Sequence, residues 1–246
     1  MPSADQNGSI TILPIKGMAE VRPRDDLAGL LAGLTGPEAA REQRMIDGDV
    51  LVVTQKVVSK AEGRLVAIDP NDPEAKTRLV ESESVRILRR RGELIISETK
   101  HGFVCANGGV DLSNVDEGTA ALLPVDPDRS ARRLKADLRR KLGIEVGVII
   151  SDTFGRTWRN GLTDVAIGCA GVAAVIDLRG TTDAIGRELA VTEVCVADEL
   201  ASAAELVMGK DRNIPAAIVR GVPAQWLRSS SVVGEVVRDA GEDLFR

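Results

Sequence analysis

Residues 151–168 read SDTFGRTWRNGLTDVAIG and follow directly on the apolar run Val146–Ile150. That run is strand-like. It delivers Asp152 at its end, and Gly155, Arg156, Arg159, Asn160, Gly161 and Asp164 follow closely. Carboxylates that end a strand offer the oxygen ligands that hard cations take alongside substrate phosphates. Arginine forks match phosphate geometry. Read without its surroundings, the stretch is equally a polar turn with solvated charges.

On the N-terminal side, Asp126-Pro127-Asp128 opens a helix over Arg129–Leu142 with Ala131, Leu134, Leu138 and Leu142 as its apolar stripe. Its many arginines and lysines read as a solvated face whose stems lie along apolar surface. Gly143 stops it. On the C-terminal side, Val172–Leu178 is a second strand-like run, and Glu193–Met208 is the longest clean helical pattern. Gly209–Pro215 is a polar loop before a strand at Ala216–Val219. Val232–Arg246 carries a helical pattern with no clear stop.

The N-terminal half adds a strand at Ile10–Ile15, a helix at Asp25–Leu34 broken by Gly36-Pro37, and a buried strand at Val50–Val53. Thr54, Gln55, Lys56, Ser59 and Lys60 come straight after that strand. They read as either a phosphate cradle or a solvated helix start. Glu74–Arg91 is expected to be one charged helix whose basic end complements the helix dipole. Leu94–Ser97 and Phe103–Ala106 read as short strands. In Asn107–Gly118 the paired glycines allow close backbone approach to a ligand. There Asp111, Asn114, Asp116 and Glu117 offer oxygen donors for a divalent cation, although turns are built from the same residues.

Composition narrows the function. The 246 residues are 43% hydrophobic and 28% charged, which describes an ordinary globular chain able to bury a large core. A net charge of −5 and 2% aromatic residues argue against nucleic-acid binding and against base-stacking platforms. No apolar run is long enough for a membrane span, and Met1–Gly8 has no signal-peptide character, so the expected location is the cytoplasm. Cys105, Cys169 and Cys195 lack zinc-ligand spacing and read as buried structural thiols. His101 is the single histidine, which disfavours histidine-based metal sites and charge-relay catalysis. Neither a P-loop nor a dinucleotide-binding glycine motif is present.

The chain resembles the coenzyme F420-0:L-glutamate ligase family. The resemblance runs from Leu13 to about Gly221 through LPIK (13–16), GDVLVVTQKVVSKAEGR (48–64), ANGGVDLSNVDEG (106–118) and GVIISDTFGRTWRNGLTDVAIGCAG (147–171). It continues through GRELAVTEVCVADELASAAELVMGK (186–210) and IPAAIVRG (214–221). It is strongest to the ligase domain of the two-domain actinobacterial enzyme, whose flavin-binding reductase-like domain would begin about where this chain ends. The resemblance implies an α+β fold of mixed sheets with flanking helices, a single ligase unit over residues 1–246 with room for two subdomains, and an intimate homodimer.

It further implies GTP-dependent joining of L-glutamate to coenzyme F420-0, then extension of a γ-linked glutamyl tail through an acyl phosphate. GTP is a substrate in that scheme, with Mg2+ or Mn2+ and room for K+ as cofactors. Matched position by position, Leu13, Pro14, Ile15, Lys16, Gln55, Lys56, Lys60 and Asn114 fall on nucleotide-contacting segments. Met208, Gly209, Lys210, Asp211, Arg212, Asn213, Ile214 and Pro215 fall on the loop that closes over the nucleotide. Asp111, Asp152 and Thr153 match metal-holding positions. The family holds two metal ions, and Lys210 stands where an acidic residue is expected beside the second; Asp211 is the substitute candidate.

Amide formation from a carboxylate needs activation, and phosphoryl transfer supplies it through positioning and charge neutralisation more than through a covalent nucleophile. On this reading Lys16 and Lys60 neutralise phosphate charge, while Arg156 and Arg159 orient the acidic substrate. The rivals are a carboxylate–amine ligase with another acceptor and a nucleotide-binding regulatory module without turnover.

Overall fold

The apolar runs following Asp49, Val146 and Pro215 have too few polar residues to face water, and they become the centre of the molecule. The computed structural model describes residues 8–244. In chain order the elements are β1 (Thr11–Pro14), α1 (Leu27–Thr35), β2 (Val50–Thr54), α2 (Gln55–Ala61), β3 (Leu65–Ala67), α3 (Ala75–Glu83), β4 (Ser84–Arg91), β5 (Leu94–Thr99) and β6 (Val104–Ala106). There follow β7 (Thr119–Ala121), α4 (Pro127–Leu142), β8 (Gly147–Arg156), β9 (Arg159–Ala170), β10 (Ile176–Asp177), β11 (Glu193–Val194), α5 (Val196–Met208), β12 (Ala216–Arg220) and α6 (Val232–Glu235).

The main sheet runs β1-β12-β2-β8-β9. β2 and β8 pair in parallel and every other neighbour is antiparallel. Val50–Val53, Val148–Ile150 and Ala216–Val219 are wholly buried, as strands covered on both faces must be. α5 packs on β1, β12 and β9, and α4 packs on β8 and β9. Gly168 explains how closely α4 docks: a Cβ there would stand 2.4 Å from the Pro127 carbonyl carbon. α4 starts at its cap Asp126, whose carboxylate accepts the Arg129 N–H, and ends at Gly143 in the left-handed region.

A smaller lobe forms from β4-β5-β6, the β3-β7 pair and α3 around Val80, Ile95, Val110, Ala120 and Leu122. Here the expected single helix over Glu74–Arg91 gives way to α3 followed by strand β4. Residues 84–91 pair with β5 through a turn at Gly92-Glu93, with register shifts between Ser84 and Arg86 and between Ile87 and Arg89, and the Ser84 hydroxyl closes α3 by donating to the Val80 carbonyl. Helical spacing over the whole stretch was too loose to bury more than Val80.

Three further expectations change. The run Val172–Leu178 buries Val172–Ala174 without strand pairing, and only Ile176–Asp177 joins a ladder, with β11. Residues 193–194 belong to β11, so α5 begins at Val196. The C-terminal pattern yields only α6 and a short 3-10 turn at Ala240–Glu242, while its last two residues and most of Met1–Gly8 lie outside the described residues. The loop before α6 is pinned because buried Asp128 accepts N–H bonds from Val232 and Val233 as well as from Cys169. Cys105 and Cys169 are buried, Cys195 is half-buried, and all three are free thiols. No helix among the described residues is long and apolar enough to cross a membrane.

Candidate active site

The C-terminal end of β2, the middle of β8, the β6–β7 connection and the α5–β12 loop converge on one cleft of about 470 Å³. Crevices beyond the carboxyl ends of strands are where sheets of this kind offer backbone and side-chain groups to ligands. Lys56 and Lys60 reach it from α2, Asp111 and Asn114 from the smaller lobe, Asp152 and Thr153 from β8, and Lys210 from the loop after α5. Asp164 on β9, Glu20 and Glu205 complete its charged lining.

The bulge that shifts register between Ile150 and Ser151 lies just where β8 enters the cleft. Bulges of this kind re-aim side chains near sites. From there β8 and β9 continue as a hairpin to its Thr157-Trp158 turn. The opening stretch is therefore two paired strands rather than a strand and a polar turn.

Each cleft lysine rests on a carboxylate. Lys56 Nζ lies 2.7 Å from Asp111 Oδ2 and donates to Ser113 Oγ at 2.7 Å, bridging the two lobes. Lys60, only 7% exposed, pairs with Glu20. Lys210 Nζ lies 2.6 Å from Asp164 Oδ1. Burial alone would raise the Asp111 carboxyl, yet the Lys56 ammonium and the Ser113 N–H hold it below the usual carboxylate range. Asp152 differs, since among the described residues it has no ion-pair partner. Burial pushes its carboxyl up to about 7; the Thr153 N–H opposes the rise, and the Asp111 and Asp164 charges add to it.

The donor set suits a hard cation at Asp152 and Asp111: carboxylate oxygens in a lysine-rimmed cleft, one of them unpaired and poised to lose its proton to an arriving charge. Among the described residues no three His, Cys, Asp or Glu side chains stand together as a ready cage. Any remaining ligands must therefore come from hydroxyls, backbone, water or substrate.

The expected nucleotide residues divide. Gln55, Lys56, Lys60, Asn114, Met208, Gly209, Lys210, Asn213, Ile214 and Pro215 line the cleft; Asp211 and Arg212 are exposed outside its lining. Leu13, Pro14 and Ile15 belong to β1 and the core behind it, and the Lys16 N–H donates to Gln43, so the lining on this side starts at Met18. Arg156 and Arg159 face each other across the hairpin tip, exposed and away from the cleft. Asp116 and Glu117 are likewise exposed and do not join Asp111 there. α2 is buried at Gln55 in its first turn and at Val58, Ser59 and Lys60 towards its end, rather than solvated.

Glu20 and Glu205 went unnoticed because no local pattern marks them. Asp164 had the signal of lying in the opening stretch.

A cleft that sets lysines and carboxylates from several elements around one space is the kind an anionic substrate and a cation share, as enzymes of group-transfer or ligase type require. Comparison with known proteins narrows the class: residues 17–221 match the family described as F420-0:Gamma-glutamyl ligase, and the chain belongs to it. Among similar proteins, the coenzyme F420:L-glutamate ligase of Methanothermobacter thermautotrophicus is 42% identical over 252 aligned positions, covering 96% of this chain and 99% of the relative. That of Methanopyrus kandleri is 44% identical over 255, covering 97% and 98%. That of Archaeoglobus fulgidus is 38% identical over 251, covering 96% of each.

Proposed function

We propose that this ligase joins L-glutamate to coenzyme F420-0 at the expense of GTP and then extends a γ-linked glutamyl tail. The observation that carries this reading is the convergence of Lys56, Lys60, Lys210, Asp111, Asp152 and Thr153 on one cleft in a chain of this family. The acceptor carboxylate attacks the terminal phosphate, giving an acyl phosphate and the nucleoside diphosphate. The glutamate amine then displaces phosphate and forms the amide.

In the first step Lys60 leaves Glu20 and holds phosphate oxygens by charge-assisted hydrogen bonds. Lys56 leaves Asp111 and does the same, and Asp111 and Asp152 together form the cation seat. A Mg2+ or Mn2+ ion bound there would offset phosphate charge. The Gly209–Pro215 loop covers the nucleotide and limits water, which would otherwise hydrolyse the acyl phosphate. A place for K+ beside the divalent ion and a cytoplasmic location belong to the same reading.

A homodimer also belongs to it, with the β8–β9 hairpin as the contact. Trp158 at the tip is 87% exposed and Leu162 is 70% exposed, on an edge strand free to meet another chain. That places Arg156 and Arg159 at the subunit contact, so their role in orienting substrate is proposed only in the assembled form.

Mass spectrometry of F420-0 incubated with the full chain, L-glutamate, GTP and Mn2+ tests the activity. Products spaced by one glutamyl unit are expected. Unmodified F420-0 together with GTP binding would instead favour a nucleotide-binding module without turnover.

A further inference from the structure

We infer that the Lys210 ammonium is a resident cation of the cleft, filling the seat between Asp164 and Thr153 so that this chain takes no divalent ion there. Lys210 Nζ donates to Asp164 Oδ1 at 2.6 Å and to Thr153 Oγ1 at 2.5 Å, and Glu205 Oε1 lies 3.6 Å away. Those are hard oxygen donors from three elements, aimed at one point, and the point is taken by nitrogen.

Asp164 is 1% exposed. A carboxylate so buried needs a counter-charge and filled lone pairs, or it becomes a large unpaired cost. The Thr153 hydroxyl donates to its Oδ1 at 2.7 Å and the Ser151 hydroxyl to its Oδ2 at 3.2 Å. Lys210 supplies the charge. Divalent ions of the Mg2+ type bind oxygen at about 2.0–2.1 Å in strict geometry. An ammonium already bonded to both Asp164 and Thr153 leaves no room for one.

The two-metal arrangement implied by the family resemblance therefore does not fit these residues. Asp152 and Asp111 can seat one ion, and the second position carries a fixed single charge.

Lys210 stands on the loop between α5 and β12 rather than on a helix or strand. Lys210 follows Gly209, whose φ of +64° turns the chain out of α5, and the loop turns again at Asn213 with φ +52°. With substrate present, Lys210 is a positioning residue: it holds Thr153 and Asp164 in place and offers its remaining N–H to a phosphate oxygen. This last role rests on the phosphate-transfer reading above, but the ion count below does not.

The test is Mn2+ titration of the full chain without nucleotide, with free Mn2+ read by electron paramagnetic resonance. Lys210→Glu, which replaces the ammonium by a ligand, is expected to bind one more Mn2+ per chain than wild type. Adding Asp164→Asn to that variant should remove the extra ion, whereas Asp164→Asn alone should leave wild-type uptake unchanged. Lys210→Met provides a second variant that opens the seat without adding charge, and it should gain the same ion with roughly tenfold weaker affinity.

The inference is overturned if wild type loses an ion on Asp164→Asn, or if neither Lys210 variant gains one. Absence of ligase turnover in the wild-type chain, with these ion counts as expected, would count against the proposed reaction and leave the Lys210 assignment standing.

Discussion

Asp152 combines two properties that act in the same direction. It is the cleft carboxylate without a cation partner, and burial lifts it to about 7. A carboxyl whose folded value lies above its unfolded one holds its proton longer in the native state. Its contribution to stability is therefore complete below about pH 4 and is lost as pH rises through about 7. Asp152→Asn should accordingly stabilise the metal-free protein at pH 8, by about 2 kcal/mol after discounting for the residue's partial exposure to the cleft. Thermal melts across pH 5 to 8 check this; parallel curves for variant and wild type would refute it. The same substitution should lower turnover by at least ~100-fold, because an amide is a poor ligand for a hard cation. Lys60 should behave differently. Lys60→Met removes one charge-assisted hydrogen bond, so the KM for nucleotide should rise by roughly 10- to 100-fold with the fold intact. An unchanged KM would place the phosphates elsewhere.

At the scale of elements, contacts between backbones far apart in sequence hold the site in place. Gly168 on β9 lets the first turn of α4 come within reach of the strand. Gly168→Ala would drive a methyl group into the Pro127 peptide and should cost about 1–3 kcal/mol in urea unfolding. Asp128 is the matching polar tie. It accepts N–H bonds from Cys169, Val232 and Val233, so Asp128→Ala leaves buried donors unpaired and should cost roughly 2–4 kcal/mol. A urea midpoint shift much smaller than that would mean that water replaces the carboxylate. Asp126 and Gly143, which start and stop α4, are legible from sequence because their effects are local. The β4 strand was not, because a loose helical spacing in 84–91 is overridden by pairing with β5 and by the turn at Gly92.

For the whole molecule, the two lobes meet at the cleft, and Lys56 bridges them through Asp111 and Ser113. The long β8–β9 hairpin leaves the sheet at its edge with Trp158 in water. If it is the contact between subunits, Trp158→Glu should convert a dimer to monomers in sedimentation experiments. Turnover should fall with the dimer, because Arg156 and Arg159 lie at that tip. A wild-type monomer at micromolar concentration would refute the proposed assembly.

What the sequence determined by itself was of short range or written in whole motifs. The buried runs of the main sheet, the capped helices α1 and α4, the loop after α5 and the family all follow from residues near each other in the chain. Most of the cleft was legible through the motifs that carry the family resemblance: Gln55, Lys56, Lys60, Asn114, Asp111, Asp152, Thr153 and Lys210 all fall within them, and Gln55, Lys56 and Asp152 also sit at the end of apolar runs. Only the tertiary structure decided which charges meet. It placed Glu20 on Lys60 and Lys210 on Asp164, and it sent Arg156 and Arg159 to the hairpin tip away from the cleft. It also put Leu13–Ile15 into the sheet and the core behind it. Pairings across dozens of residues depend on strand register and lobe closure, and no local pattern of hydrophobicity or charge encodes either.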